Sequence, residues 1–281
     1  MSDNLFSDLN KVGLSMLSGM DLYESDEKKS ELEKKEASAQ PAEPEEKDYL
    51  FDKGYRCPVC DSEFKAKAVR IGKAKMIGAD TDLRPKYQGI DSLKYDCIVC
   101  NKCGYSSLSR FFNNITSGQA KFVKTNISPY FKGVDDKCEI YSYDEAILRH
   151  QLALANTVVK KGKASEKAYT CLKLAWLIRG EMENLPSDTP DKAKVMEGLK
   201  AKEKEYISKA YEGFVVAMAK EMPPICGMDE WTCVYLVAEL ARQCEDYAKS
   251  MKLLSDLIVS KAASTKLKDK AREMRKLLPK E

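Results

Sequence analysis

The 281-residue chain sets 47 Lys and Arg against 44 Asp and Glu, a formal net charge of +3, with ten cysteines and a single histidine. One histidine, with no Ser or Cys nucleophile beside a basic partner, leaves a catalytic triad nothing to be built from. The longest apolar run, Phe214 to Ala219, is far too short to cross a bilayer, and ten cysteines without a secretory signal point to a reducing cytoplasm rather than a disulfide framework.

Residues 1–21 read as an amphipathic docking helix. Leu5, Leu9, Val12, Met16 and Met20 share one face, and Asp3, Asp8 and Lys11 lie on the other. Residues 22–48 read as a disordered acidic linker: from Glu24 to Asp48 ten acidic residues face five lysines, with Pro41 and Pro44 and few apolar side chains. Residues 49–138 form a small β-rich module. Short runs at Ala66 to Ile71, Leu93 to Val99 and Gln119 to Ile127 suit strands of hairpins.

This module holds the strongest motif in the chain. Cys57-Pro58-Val59-Cys60 is followed forty residues on by Cys100-Asn101-Lys102-Cys103-Gly104. Two residues between thiols let the backbone reverse so that both sulfurs meet one ion, and two such knuckles supply the four thiolates of a closed, structural Zn2+ site. Pro58 and Gly104 provide turn chemistry next to the ligands. Cys97 overlaps the second pair, so Cys97/Cys100 is an alternative to Cys100/Cys103. The pair followed by Gly104 is preferred, because Cys97 falls in an apolar strand-like run. A thioredoxin-type dithiol is disfavoured, since no helix signal follows Cys60.

Residues 139–281 read as helical. Ala146, Ile147, Leu154 and Val158 make one stripe, beside which lies His150, expected at the edge of the core. Ala168, Cys171, Leu172, Ala175, Trp176 and Ile178 make a second stripe. Thr189 and Pro190 suit the start of a long helix that Pro223 and Pro224 stop, and three helices follow at about 229–244, 247–260 and 264–278. The run from Tyr235 through Tyr247, Ser250 and Leu254 is similar to a tetratricopeptide unit, in which Ala238 and Ser250 would meet at a close crossing. The fold class is therefore α+β: a β-rich zinc ribbon, then a mainly α-helical tetratricopeptide-like domain.

Cys57-Pro58-Val59-Cys60, Phe64, Asp80-Thr81-Asp82-Leu83-Arg84-Pro85, Tyr87, Leu93, Tyr95, Val99-Cys100, Cys103-Gly104-Tyr105, Phe111 and the later Ala175-Trp176-Leu177-Ile178-Arg179 together resemble the bacterial family of domain of unknown function 2225 over residues 49–260. The resemblance implies a zinc ribbon followed by tetratricopeptide-like helices, and implies no activity.

The functional expectation is binding: a cytoplasmic adaptor or regulator whose helical groove takes a protein or peptide partner, the chain's own first helix included, with no membrane and with enzymatic activity disfavoured. A nucleic-acid-binding regulator is the first alternative. From Phe51 to Thr125 fourteen Lys and Arg face seven Asp and Glu. Lys65, Lys67 and Arg70 could line one strand face, and Tyr95, Tyr105, Phe111 and Phe112 could stack on bases. The second alternative is an enzyme or thiol sensor built on Asp80 and Asp82 or on Cys97. For Asp80–Asp82 a capped turn held by Arg84 is the preferred reading.

Overall fold

The computed structural model describes residues 44–70 and 72–279. The amphipathic stripe of residues 1–21 and most of the expected linker lie outside the described residues. From Glu45 onward the chain is one compact unit. The last residues assigned to the linker are ordered: Glu46–Tyr49 is a 3-10 turn, and Glu46 pairs with Lys94 at 2.7 Å and accepts from the Tyr95 hydroxyl at 2.8 Å.

Three antiparallel hairpins come first: β1 (Leu50–Arg56) with β2 (Glu63–Val69), β3 (Met76–Ala79) with β4 (Pro85–Tyr87), and β5 (Cys97–Val99) with β6 (Ser106–Leu108). Seven helices are described: α1 (Ser117–Asn126), α2 (Tyr143–Val159), α3 (Ala164–Glu183), α4 (Lys192–Lys220), α5 (Glu230–Gln243), α6 (Tyr247–Val259) and α7 (Thr265–Arg275). The arrangement is α+β, with the β hairpins preceding a helical body.

Three local expectations need correction. Residues 119–126 are helical rather than extended, with Ile127 as the C-cap. Thr116 accepts from Gln119 N while the Gln119 side chain returns the bond to Thr116 N, and this capping box starts α1. Ala120, Val123 and Ile127 then fall at helical spacing against the cysteine core, which outweighs their β propensity. Only Cys97–Val99 of the run from Leu93 is strand. Asp91 accepts from Leu93 N and makes Ser92–Tyr95 a 3-10 turn. The long helix starts at Lys192, not at Thr189, because the Thr189 hydroxyl bonds back to the Pro186 carbonyl at 2.8 Å and Asp191 is left-handed.

Helix α3 is the centre of the body. Leu172, Leu174, Ala175, Trp176, Leu177 and Ile178 are all buried. Around them gather Ile207, Ala210 and Phe214 of α4, Leu236, Val237 and Leu240 of α5, and Leu93 from the β-rich half. A second cluster joins Ala238 of α5, Leu254 and Leu257 of α6, and Ala271 and Met274 of α7. Ser250, expected at the crossing with Ala238, is also fully buried.

Helix α2 keeps most of its apolar stripe inward, with Ala146 buried and Ile147 and Leu154 packed on the α3 core, and departs from it at its C-terminal end. Val158 is 55% exposed, whereas Arg149, His150, Asn156 and Thr157 are buried with Ala146 and Ala153. The reason is its neighbour: α2 lies against β5 and β6, whose backbone and side-chain polar groups need partners.

His150 lies deeper than the core edge. It is fully buried, its Nδ1 2.7 Å from the Ala146 carbonyl, and burial pushes its imidazole down to about 4 despite the nearby carboxylates of Asp96 and Asp91. Unfolded, the ring titrates near about 6.5 and takes a proton the folded site refuses. Stability from this group is thus complete above about pH 6.5 and declines as pH falls toward 4, by at most roughly 3 kcal/mol. Urea unfolding at pH 7.5 and pH 5, with metal in excess, should show a smaller loss in His150→Gln than in the wild type. Equal losses would assign the acid sensitivity elsewhere.

Candidate metal centre

Both cysteine pairs sit on turns of the same construction. In the first, Cys57 N bonds Ser62 O, Asp61 N bonds Cys57 O, both at 2.9 Å, and Asp61 is left-handed. In the second, Cys100 N bonds Tyr105 O at 2.8 Å, Gly104 N bonds Cys100 O at 2.9 Å, and Gly104 has φ +73°. Each turn thus reverses the chain with one left-handed residue directly after its second cysteine. Asp tolerates that conformation. Position 104 tolerates only glycine, since a Cβ there would lie 2.6 Å from Phe131 Cγ.

The turns bring Cys57, Cys60, Cys100 and Cys103 together, with all four sulfurs within 4.8 Å of one another. The Cys57–Cys103 and Cys60–Cys100 sulfur pairs stand 3.6 and 3.7 Å apart. A tetrahedral zinc with bonds of about 2.3 Å requires sulfurs roughly 3.8 Å apart, so the cluster has the right size and donor set for such an ion. Unneutralised, these thiols resist joint ionisation. The hydrogen bond with Cys100, with burial adding, pushes the Cys57 thiol up to about 12. A bound dication would supply the charge that lets all four act as thiolates.

The surroundings favour the charged form. Val59 N points at the Cys57 sulfur at 3.4 Å, and the Ser62 hydroxyl lies 2.9 Å from the Cys60 sulfur and 3.4 Å from that of Cys100. Ser62 and Asp61 are contributions the sequence reading missed; both follow the first pair, where a turn residue and a donor could have been sought. A core of Val59, Ile98, Tyr105, Phe112 and Val123 backs the cluster.

Cys97 is not in this group. Its sulfur donates to the Arg149 carbonyl at 3.1 Å and meets the Ser106 hydroxyl at 3.2 Å, and burial pushes its thiol up to about 12. A buried, protonated thiol of this kind is poorly suited to sensing. Asp135, Cys138 and Glu145 form a second close group, but the Arg149 guanidinium, 2.9 Å from Glu145, already supplies its positive charge.

The Asp80-Thr81-Asp82-Leu83-Arg84 loop is sealed against the helices. Asp82, fully buried, lies 2.8 Å from Arg179, which also contacts Asp80 at 3.2 Å and Glu203 at 2.7 Å. Thr81 donates to Glu239 at 2.7 Å, and Arg84 pairs with Glu183 at 2.9 Å. Gly180 of α3 makes room, since a Cβ there would meet Asp91, Tyr143 and Arg84. Burial opposes the charge on Asp80, but hydrogen bonds from Lys86 and Arg179 hold its carboxyl below the ordinary range.

The basic hairpin is less basic than its sequence. The β1–β2 register sets Asp52 opposite Lys67 and Glu63 opposite Arg56 on the face that carries Lys65. Lys67 pairs with Asp52 at 3.3 Å, and Arg70 stacks on Phe51 instead of extending the row. Tyr95, Tyr105 and Phe112 are buried, and Phe111 packs against Tyr169. No stacking row for bases is formed by these four rings.

Residues 50–278 match the family described as an uncharacterized protein conserved in bacteria (DUF2225). The chain belongs to that family. The DUF2225 match spans the cysteine turns, the Asp80–Arg84 loop and nearly all of the helical body, and its description assigns no activity. No curated protein and no solved structure matches the chain. Among the described residues, no helix is long and apolar enough to cross a membrane.

Proposed function

We propose that this DUF2225 member is a cytoplasmic protein-interaction adaptor with a structural zinc ion held by Cys57, Cys60, Cys100 and Cys103. Four thiolates fill a tetrahedral zinc and leave no open position, so the ion would act as a cross-link between the two turns. Ten free cysteines accord with a reducing compartment.

The observation that supports binding is a shallow, open apolar depression of ≈ 490 Å³ on α2, lined by Gln151, Leu154, Ala155, Val158 and Val159 and bordered by Tyr206 of α4. Leu148, 54% exposed, and Val158, 55% exposed, stand on the same helix. An exposed apolar row on a helix offers a seat for the apolar face of a partner helix or peptide. Tetratricopeptide-like stacking of the helices is part of the same reading.

A photo-crosslinker placed at Gln151 should capture a protein partner in cells, and Ala155→Asp with Val158→Asp, both at exposed positions, should abolish that capture while metal content and circular dichroism stay unchanged. Undiminished crosslinking in the double variant would refute the depression as the binding site.

A further inference from the structure

Helix α2 lies between the cysteine turns and the apolar depression, with Arg149, Ala153 and Asn156 turned to the first and Ala155 and Val158 to the second. The buried face is tied to the second cysteine turn at three points. Asn156 Nδ2 donates to the Gly104 carbonyl at 2.9 Å, just after Cys103. The Arg149 carbonyl accepts from the Cys97 thiol at 3.1 Å and the Ser106 hydroxyl at 3.3 Å, one on each strand leading to and from that turn. Asn101, between the cysteines, brackets Val134 with bonds of 2.9 and 2.8 Å and also reaches Asp136. That segment grips the Arg149 side chain, through the Asp135 carbonyl and through Asp136 at 3.4 Å.

Arg149, 1% exposed, is therefore held at both ends by groups that the cysteine turn positions. Its guanidinium also lies 4.2 Å from the Tyr141 ring centre and 2.9 Å from Glu145. Buried polar networks of this kind have one satisfied arrangement, and moving one member leaves others without partners. The turn's own geometry depends on what holds Cys100 and Cys103.

We propose that metal occupancy of the four-cysteine centre is transmitted to α2 through Asn101, Gly104 and Arg149, so that the apolar depression on α2 beside Tyr206 is a metal-gated binding surface. The proposal rests on the adaptor reading for its consequence, although the coupling itself does not require a partner. With metal bound, the turn is fixed, Asn156 and Arg149 keep their partners, and α2 presents Ala155 and Val158 beside Tyr206, which Gln151 contacts at 3.2 Å. Without it, the turn relaxes, α2 loses its anchors, and the depression loses its shape. Asn101 and Asn156 are positioning residues that never touch the ion.

Hydrogen exchange of the full chain tests this, with zinc bound and after removal by a chelator in excess. Chelation should speed exchange of the amides of residues 152–159 about tenfold or more, while α5 to α7 change little, because opening is local. Asn101→Ala, with metal retained, should show exchange in α2 about tenfold faster than the zinc-bound wild type, as expected for roughly one lost buried hydrogen-bond group. If Asn101→Ala loses metal, Asn156→Ala replaces it, since Asn156 reaches the turn only through the Gly104 carbonyl. An unchanged α2 on chelation, or equal acceleration throughout all helices, would overturn the relay. Loss of the Gln151 crosslink in every metal state, with exchange coupling intact, would instead remove the adaptor reading and leave the relay standing.

Discussion

Serine in place of Cys57, Cys60, Cys100 or Cys103 should release the metal and unfold the hairpins around it, while Cys97→Ser should keep one metal per chain. The asymmetry follows from position: four sulfurs converge within 4.8 Å, and the fifth turns away to bond a helix carbonyl. Structural zinc supplies on the order of 10 kcal/mol to small domains that cannot fold without it. Here part of the loss would be recovered from the Tyr105, Phe112 and Val123 core, so the hairpins should become molten before the helices melt. Native mass spectrometry counts the metal, and near-ultraviolet circular dichroism follows the tyrosines around the centre. Metal retained by Cys103→Ser but lost by Cys97→Ser would show that the overlapping pair is the ligand pair. Acid should act as the cysteine variants do, since thiolates must be deprotonated to bind.

The cysteine centre was readable because two-residue spacing constrains the chain locally. The register of those spacings, Cys100/Cys103 and not Cys97/Cys100, was also indicated by Gly104, whose left-handed backbone the turn uses. Helices α5 to α7 were readable for the same local reason. Asp229, Asp246 and Ser264 each cap a first turn immediately ahead of an amphipathic run. Helix α1 was misread because β-branched residues weigh toward strand, whereas the Thr116 and Gln119 box and the spacing of Ala120, Val123 and Ile127 decide for helix.

The second, polar buried face of α2 was out of reach for a different reason. An apolar stripe predicts a buried face only when the partner surface is apolar. β5 and β6 offer polar groups beside the apolar Cys97 and Val99, so Arg149 and Asn156, seven apart, turn inward with Ala153, while Ala146, Ile147 and Leu154 pack on the α3 core and Val158 alone of the stripe turns out. The basic count of the β-rich half misled in a similar way, because strand register, invisible in composition, places an acid across from Lys67 and from Arg56.

The largest effect away from the metal is expected at Asp82 and Arg179. This pair joins a loop of the β-rich half to α3, with Asp82 wholly without solvent and Arg179 shared among Asp82, Asp80 and Glu203. Burial opposes the Arg179 charge, yet Asp82 and then Glu203 raise its pKa and keep it protonated. Removing one member of a buried pair strands the other, at a cost of about 3–5 kcal/mol. Arg179→Met should cost more than Asp82→Asn, because it leaves the Asp82 carboxylate buried with only the weaker contacts of Gln243 and the Arg84 amide, at 3.5 and 3.4 Å. Asp82→Asn leaves Arg179 two other carboxylates. The double variant should be less damaging than the sum of the singles by roughly 1–3 kcal/mol, the signature of direct coupling. Lys67→Ala, which breaks only the half-exposed pair with Asp52, should stay within about 0.5 kcal/mol and serves as the control. Urea unfolding of the four proteins at pH 7 decides the matter. If Arg179→Met unfolds at the same urea concentration as Lys67→Ala, the loop is not a staple, and its carboxylates become available to the catalytic reading that their burial now opposes.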